Sequence, residues 1–106
     1  MINKGDIVNE TPEYNPDFDY KDMSTLKNHW MKYNGKMYKG KKRGRGEITL
    51  FNGDRFKCNF KDDMACGKGI LFKTDGTEVW GIWRNDKFLL AMKKKWDVIS
   101  LVKFHD

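Results

Sequence analysis

The chain has 106 residues, of which 39% are hydrophobic, 34% charged and 14% aromatic, with a mean hydropathy of −0.81. That is enough for one domain and too little for two, and the polar balance excludes a thick two-layer core, so aromatic rings must supply much of the buried area. The net charge of +6 is uneven: residues 1–30 carry six acids against three lysines, and residues 31–106 carry eighteen Lys/Arg against nine acids.

In chain order, residues 1–32 read as an acidic N-terminal arm. Pro12, Pro16 and several acids leave residues 1–19 little to bury, and only Asp6-Ile7-Val8 suggests a short strand. Asp19 then stands as a helix cap before YKDMSTLKNHWMKY. Met23, Leu26, Trp30 and Tyr33 fall at helical spacing, so a short helix is expected over 19–33, with a degenerate strand as the competing reading.

From Tyr33 onward a 23-residue period takes over. GRGEITLFNGDRF at 44–56 aligns without a gap on GKGILFKTDGTEV at 67–79. The first unit, 33–55, contains Tyr33-x-Gly35-x-Met37, then Gly40, Gly44-x-Gly46 and Asn52-Gly53. The second, 56–78, contains Phe56-x-Cys58-x-Phe60, Asp63, Gly67-x-Gly69 and Asp75-Gly76. A third, truncated at 79–88, keeps Val79-x-Gly81-x-Trp83 and Asp86.

Asn52-Gly53 and Asp75-Gly76 read as two-residue hairpin turns between strand-like runs. Alternation along a strand puts Phe56, Cys58 and Phe60 on one face and Arg55, Lys57 and Asn59 on the other. A glycine between two large residues leaves room for a side chain to lie across the backbone. Each hairpin alone is marginal in water, and stacking several buries a continuous aromatic stripe. The expected fold is therefore all-β: tandem antiparallel hairpins in a single-layer sheet with short capping segments at the ends. Residues 89–106 are read as the C-terminal cap. Phe88, Met92, Trp96, Ile99 and Val102 share a helical stripe, whereas Trp96, Val98, Val102 and Phe104 alternate as in a strand; a short helix is the favoured reading.

The pattern Tyr33-x-Gly35-x-Met37-x-x-Gly40-x-x-x-Gly44-x-Gly46 resembles the MORN (membrane occupation and recognition nexus) repeat, which runs aromatic-x-Gly-x-aromatic, Gly, Gly-x-Gly. The second unit replaces two glycines by Cys58 and Asp63, and the third lacks the closing Gly-x-Gly. The resemblance covers about residues 33–88. It implies an elongated single-layer antiparallel sheet with one hairpin per repeat, and an association with scaffolding, dimerisation or attachment to enzymatic domains.

The glycines do not read as a phosphate loop: Gly40-KKR-Gly44 has the wrong spacing for GxxxxGK[ST]. Cys58, Cys66, His29 and His105 match no zinc spacing and form no nucleophile–base pattern. Asp62, Asp63 and Asp75 fall in expected turns, where Asp favours the local backbone. No catalytic residue, metal, cofactor or small-molecule substrate is assigned, and the chain reads as non-enzymatic.

Seven cations, Lys32, Lys36, Lys39, Lys41, Lys42, Arg43 and Arg45, occur within fourteen residues without an acid. Of these, Lys36, Lys39, Lys41, Lys42, Arg43 and Arg45 are candidates for anion or phospholipid binding. The plain alternative is a solvated loop that resists edge-to-edge aggregation. A third is that the acidic arm folds onto this basic surface. The aromatics Tyr33, Tyr38, Phe56, Phe60, Trp80 and Trp83 either pack the repeats or, on an uncovered face, form an interaction surface or dimer seam. A protein partner or self-association is the first expectation, anionic lipid the second and nucleic acid the third. The two unpaired cysteines, the lack of an apolar span and the polar N-terminus suggest a cytoplasmic location, peripheral at a membrane if lipid is bound.

Overall fold

The computed structural model describes residues 6–8, 17–27 and 29–92. Seven strands follow one another across a single antiparallel sheet: Asp6–Val8 (β1), Trp30–Tyr38 (β2), Lys41–Leu50 (β3), Arg55–Lys61 (β4), Met64–Phe72 (β5), Glu78–Arg84 (β6) and Lys87–Met92 (β7). Strand order equals chain order, so every described connection joins neighbours. The all-β, single-layer hairpin architecture expected from the period is the one observed.

The turns differ from their sequence reading. The two-residue turns lie at Lys39-Gly40, Asp62-Asp63 and Asn85-Asp86, 23 residues apart. All six residues take left-handed φ between 49° and 79°, as type I′ hairpins require. Asn52-Gly53 and Asp75-Gly76 instead belong to three-residue loops. The Gly53 N–H donates to the Leu50 carbonyl and the Leu50 N–H to that of Asp54; Gly76, Lys73 and Thr77 repeat the arrangement. Only the glycine is left-handed there (Gly53 97°, Gly76 93°). The preceding Asn52 and Asp75 side chains accept the N–H two residues on, from Asp54 (2.9 Å) and Thr77 (2.8 Å). The side-chain bond holds Asn52 and Asp75 in the first part of a turn and so favours the longer loop.

The Gly-x-Gly steps divide two tasks. Gly44 (φ 72°) and Gly67 (φ 126°) sit in bulges, where β3 and β5 each carry extra residues opposite β2 and β4. Gly46 and Gly69 belong to a row of small residues that crosses six strands in register: Gly35, Gly46, Cys58, Gly69, Gly81 and Ala91. Side chains fill the trough so formed. A Cβ on Gly46 would lie 2.4 Å from the Tyr33 hydroxyl and 2.5 Å from its ring, and one on Gly81 would lie 2.2 Å from the Phe88 ring. Tyr33 is fixed in this position by its hydroxyl, which donates to the Lys36 carbonyl at 2.8 Å.

Adjacent hairpins are clasped at their turns by aspartates. The Asp63 N–H donates to the Lys42 carbonyl, and the Lys42 N–H donates back to Asp63 Oδ1 (both 3.1 Å). One period later Asp86 makes the same pair with Ala65, at 3.0 and 2.7 Å. These two aspartates stand where the first unit has Gly40.

The helix expected over 19–33 is reduced to one 3₁₀ turn, Met23–Leu26, capped by the Asp22 carboxylate on the Ser24 N–H. It ends at Lys27, whose φ of 54° leaves the helical region. Trp30 and Tyr33 belong to β2, so their helical spacing from Met23 and Leu26 is coincidental. A lone helix of that length is marginal in water, and pairing of Tyr33 with Ile48 in the sheet outcompetes it. The C-terminal helix fails likewise at its start: Phe88 and Met92 lie on β7, paired with Trp83 and Trp80. The third hairpin thereby runs past 88 to Met92. Trp96, Val98, Ile99, Val102 and Phe104 lie outside the described residues, as does His105.

We expect Gly46→Ala to cost about 2–3 kcal/mol through overpacking against Tyr33. Gly76→Ala, with nothing within 4 Å of its new Cβ, should cost only the left-handed backbone penalty of about 1 kcal/mol. Urea unfolding of the two variants checks this; a loss at Gly46 no larger than at Gly76 would show that the Tyr33 ring yields to a methyl group and does not demand the glycine.

Candidate functional site

The two faces of the sheet meet different fates. On one, alternation gathers Tyr33, Ile48, Phe56, Phe60, Leu71 and Trp83, all buried. Their rings form an edge-to-face chain: Tyr33–Phe60 at 5.8 Å, Phe60–Phe56 at 6.2 Å, Phe56–Trp83 at 4.8 Å, then Trp83–Phe88 tilted at 4.9 Å and Phe88–Tyr20 at 5.4 Å. The last link comes from the N-terminal arm. Residues 17–27 cover this face, with Met23 and Leu26 buried in its core and Phe18 and Tyr20 packed against it.

Backbone bonds hold this strap to the third hairpin: Met23 N–H to the Asp86 carbonyl (2.7 Å) and Phe88 N–H to that of Lys21 (2.9 Å). The Trp83 indole N–H donates to the Tyr20 carbonyl at 2.9 Å. Asp22 adds an ion pair with Lys87 at 2.7 Å. Four candidate aromatics, Tyr33, Phe56, Phe60 and Trp83, are thus repeat-packing residues. Only Tyr38, 53% exposed, and half-buried Trp80 keep accessible surface.

The same geometry separates Lys42 from the other cations of the basic segment. Lys36, Lys39, Lys41, Arg43 and Arg45 are exposed. Lys39 and Arg43 both lie over the Tyr38 ring, at 5.3 and 5.0 Å from its centroid. Lys42 is directed to the aromatic face, where its ammonium meets Asp63 at 2.7 Å and its side chain is only 13% exposed. It is withdrawn from any shared anion site with its neighbours. Of the described acidic arm, residues 17–27 lie on the aromatic face, where Asp22 pairs with Lys87, and Asp6–Val8 adds an edge strand alongside Lys32–Asn34 of β2.

The second face carries the feature that sequence reasoning left unassigned. Asn34, Glu47, Lys57, Ile70, Trp80 and Met92 stand opposite one another from β2 to β7. Polarity changes along the row, charged on β3 and β4 and apolar from β5 to β7. A groove of about 610 Å³ lies over it, lined also by Arg45 and Lys68. Glu47 is bridged to Arg55 at 2.9 Å, and the Trp80 indole N–H donates to Glu78 at 2.8 Å. The alternation that sends Arg55 and Lys57 away from Phe56 was the signal for this face; its continuation to Ile70 and Trp80 depends on register between hairpins.

A second cavity, of about 510 Å³, lies on the aromatic face between the strap and the first hairpin. Trp30, Tyr33 and Phe60 surround the Lys42 ammonium there, with centroids at 5.5, 5.8 and 5.9 Å. Asp63 and Asp86 also line it. Burial pushes the Asp86 carboxyl above its ordinary pKa, against the Ala65 N–H that favours its ionised form.

Cys58 fills its slot in the small-residue row as a packed thiol, and burial pushes its pKa up to about 12, far from a reactive thiolate. Among the described residues no group of His, Cys, Asp or Glu is placed to hold a metal ion, and no helix is long and apolar enough to cross a membrane. A scan against protein-family models gives no match for this chain, and a search of curated proteins gives none either.

The strap tether has a defined acid limit. Hydrogen bonding from Lys87, then Ser24, holds the Asp22 carboxyl down to about 2 from its ordinary 3.8. A depressed folded-state pKa gives a contribution that is complete above 3.8 and lost as pH falls through 2. Carboxyl-carbon NMR should therefore find Asp22 titrating near 2 in the wild type and closer to 3.8 in Lys87→Met. An unchanged midpoint in that variant would remove the ion pair from the strap's attachments.

Proposed function

We propose that this chain is a non-enzymatic protein-interaction module of MORN-like repeats, in which the hairpins form a rigid platform and the second sheet face receives a protein partner. The supporting observation is the inequality of the faces. The aromatic face is occupied by the chain's own residues 17–27, so its rings serve cohesion. The second face carries a groove of about 610 Å³ lined by Arg45, Glu47, Lys57 and Lys68 together with Ile70, Trp80 and Met92. Cations beside an aromatic anchor suit a partner segment with acidic and apolar side chains: buried aromatics and Arg dominate interface energies, and charge complementarity raises the encounter rate.

The informative variant therefore alters the groove and spares the core. We expect Lys57→Glu/Trp80→Ala to remain folded by circular dichroism and to lose a stoichiometric partner that the wild type recovers from its native cell. Lys39→Glu/Lys41→Glu, at the distant turn, should retain it. Equal recovery by the wild type and the groove variant would refute the assignment of this face.

A second reading rests on Tyr38. This exposed ring, with Met37 beside it and Lys36, Lys39, Lys41 and Arg43 around it, has the amphipathic and cationic character that suits an anionic membrane surface. Under that reading the wild type binds vesicles containing phosphatidylserine, with affinity falling steeply between low and physiological salt. Lys39→Glu/Lys41→Glu/Arg43→Glu abolishes the binding. Vesicle binding unaffected by these substitutions, or none at low salt, eliminates it.

A further inference from the structure

We propose that the second face has a further activity, the binding of single-stranded nucleic acid, with phosphates on its cations and a base on Trp80. The observation that carries this is the sorting of charge by the sheet. Strands β2 to β7 contain only two acids, Glu47 and Glu78, and both are engaged. Glu47 is bridged to Arg55, and Glu78 accepts the Trp80 indole N–H. The acids of the strap and turns act on other cations: Asp63 pairs with Lys42 and Asp22 with Lys87. Register and alternation meanwhile send Arg45, Arg55, Lys61, Lys68 and Arg84 to the side of the sheet that Lys57 faces.

Spacing and lining select the ligand class. Arg45, Lys57 and Lys68 occupy diagonal positions on β3, β4 and β5, roughly 7–8 Å from one strand to the next. Arg45 and Lys57 are exposed and make no ion pair among the described residues. Like charges gathered in this way repel one another, and a chain of phosphates relieves the repulsion. The cations also extend past the groove to Lys61 and Arg84, and nucleic-acid interfaces are much more positively charged than those between proteins. The groove adds an aromatic ring: Trp80 stands in the row of Lys57, two strands and about 10 Å away. A cationic groove that tracks a backbone, beside a ring that stacks a base, is the arrangement of single-strand sites. A duplex keeps its base faces inside and offers Trp80 nothing to stack. The activity does not depend on a protein partner, although the two ligands exclude one another on this face.

The test is fluorescence anisotropy of a labelled oligothymidylate of about 15 nucleotides, titrated with the full-length protein. We expect a saturable complex that weakens about twentyfold between ~50 and ~200 mM salt, as three phosphate contacts on a single strand predict. Arg45→Glu/Lys57→Glu should abolish it. Lys39→Glu/Lys41→Glu, an equal change of net charge at the distant turn, should weaken it only severalfold. Trp80→Ala should cost at least about fivefold, and Trp80→Phe, which keeps a ring, less. In the wild type the Trp80 indole resonance should move on titration while that of buried Trp83 stays. Absence of a complex at low salt overturns the proposal. So does equal loss in the two charge variants, an unmoved Trp80 resonance, or equally tight binding of poly-L-glutamate of matched charge, which marks a surface for acidic protein. None of these outcomes alters whether the wild type recovers a protein partner, so the two readings of this face fail separately.

Discussion

The close approach of aromatic rings to bare backbone is the constraint on which this structure depends. A single-layer sheet with 39% hydrophobic residues cannot bury its rings between two layers. It buries them by laying them along its own strands, in a trough that a row of five small residues and Ala91 keeps open. Tyr33 lies over Gly35 and Gly46, and Phe88 lies over Gly81. Rings placed this way touch one another edge to face, so one hairpin's packing residue is the next one's wall. The bulge glycines let β3 and β5 carry extra residues opposite β2 and β4, which bends and twists those strands locally.

Much of this was legible in the sequence because it depends on local alternation and on a fixed period. The strands, the buried identity of Phe56, Phe60 and Trp83, and the packing role of the glycines follow from side-chain faces that repeat every two residues and motifs that repeat every 23. The turns were misassigned for a specific reason. Asn-Gly and Asp-Gly suit type I′ turns, yet an Asn or Asp that bonds the backbone two residues on equally favours the three-residue loop. Asp62-Asp63 and Asn85-Asp86 lack the glycine that usually marks a two-residue turn, and the cross-hairpin bonds of Asp63 and Asp86 compensate for the left-handed strain. The strap was legible only as the Met23 and Leu26 spacing of an expected short helix, which survives as one turn with both residues buried. Its contacts join residues more than sixty positions apart, and no periodicity within 17–27 indicates which face it will cover.

The covering of one face also redistributes the meaning of charged residues that look alike in sequence. Lys41, Lys42 and Arg43 are consecutive, but the pleat and the bulge send Lys42 into an aromatic enclosure and leave its neighbours in solvent. Lys57 and Arg45, less conspicuous in the chain, are brought by register to one groove with Trp80. A cationic cluster in sequence is a property of the chain; a cationic site is a property of the pairing between hairpins.

Repeat arrays ordinarily hold only nearest-neighbour contacts, so units can be gained or lost with little consequence for the others. Here the strap joins the start of the array to its third hairpin, through Tyr20 to Trp83, Lys21 to Phe88 and Met23 to Asp86. A hairpin inserted between the first and the third would move that turn by two strand spacings, about 10 Å, and carry it away from bonds of under 3 Å. The spacing from the first hairpin to the third is therefore fixed by the reach of one short segment.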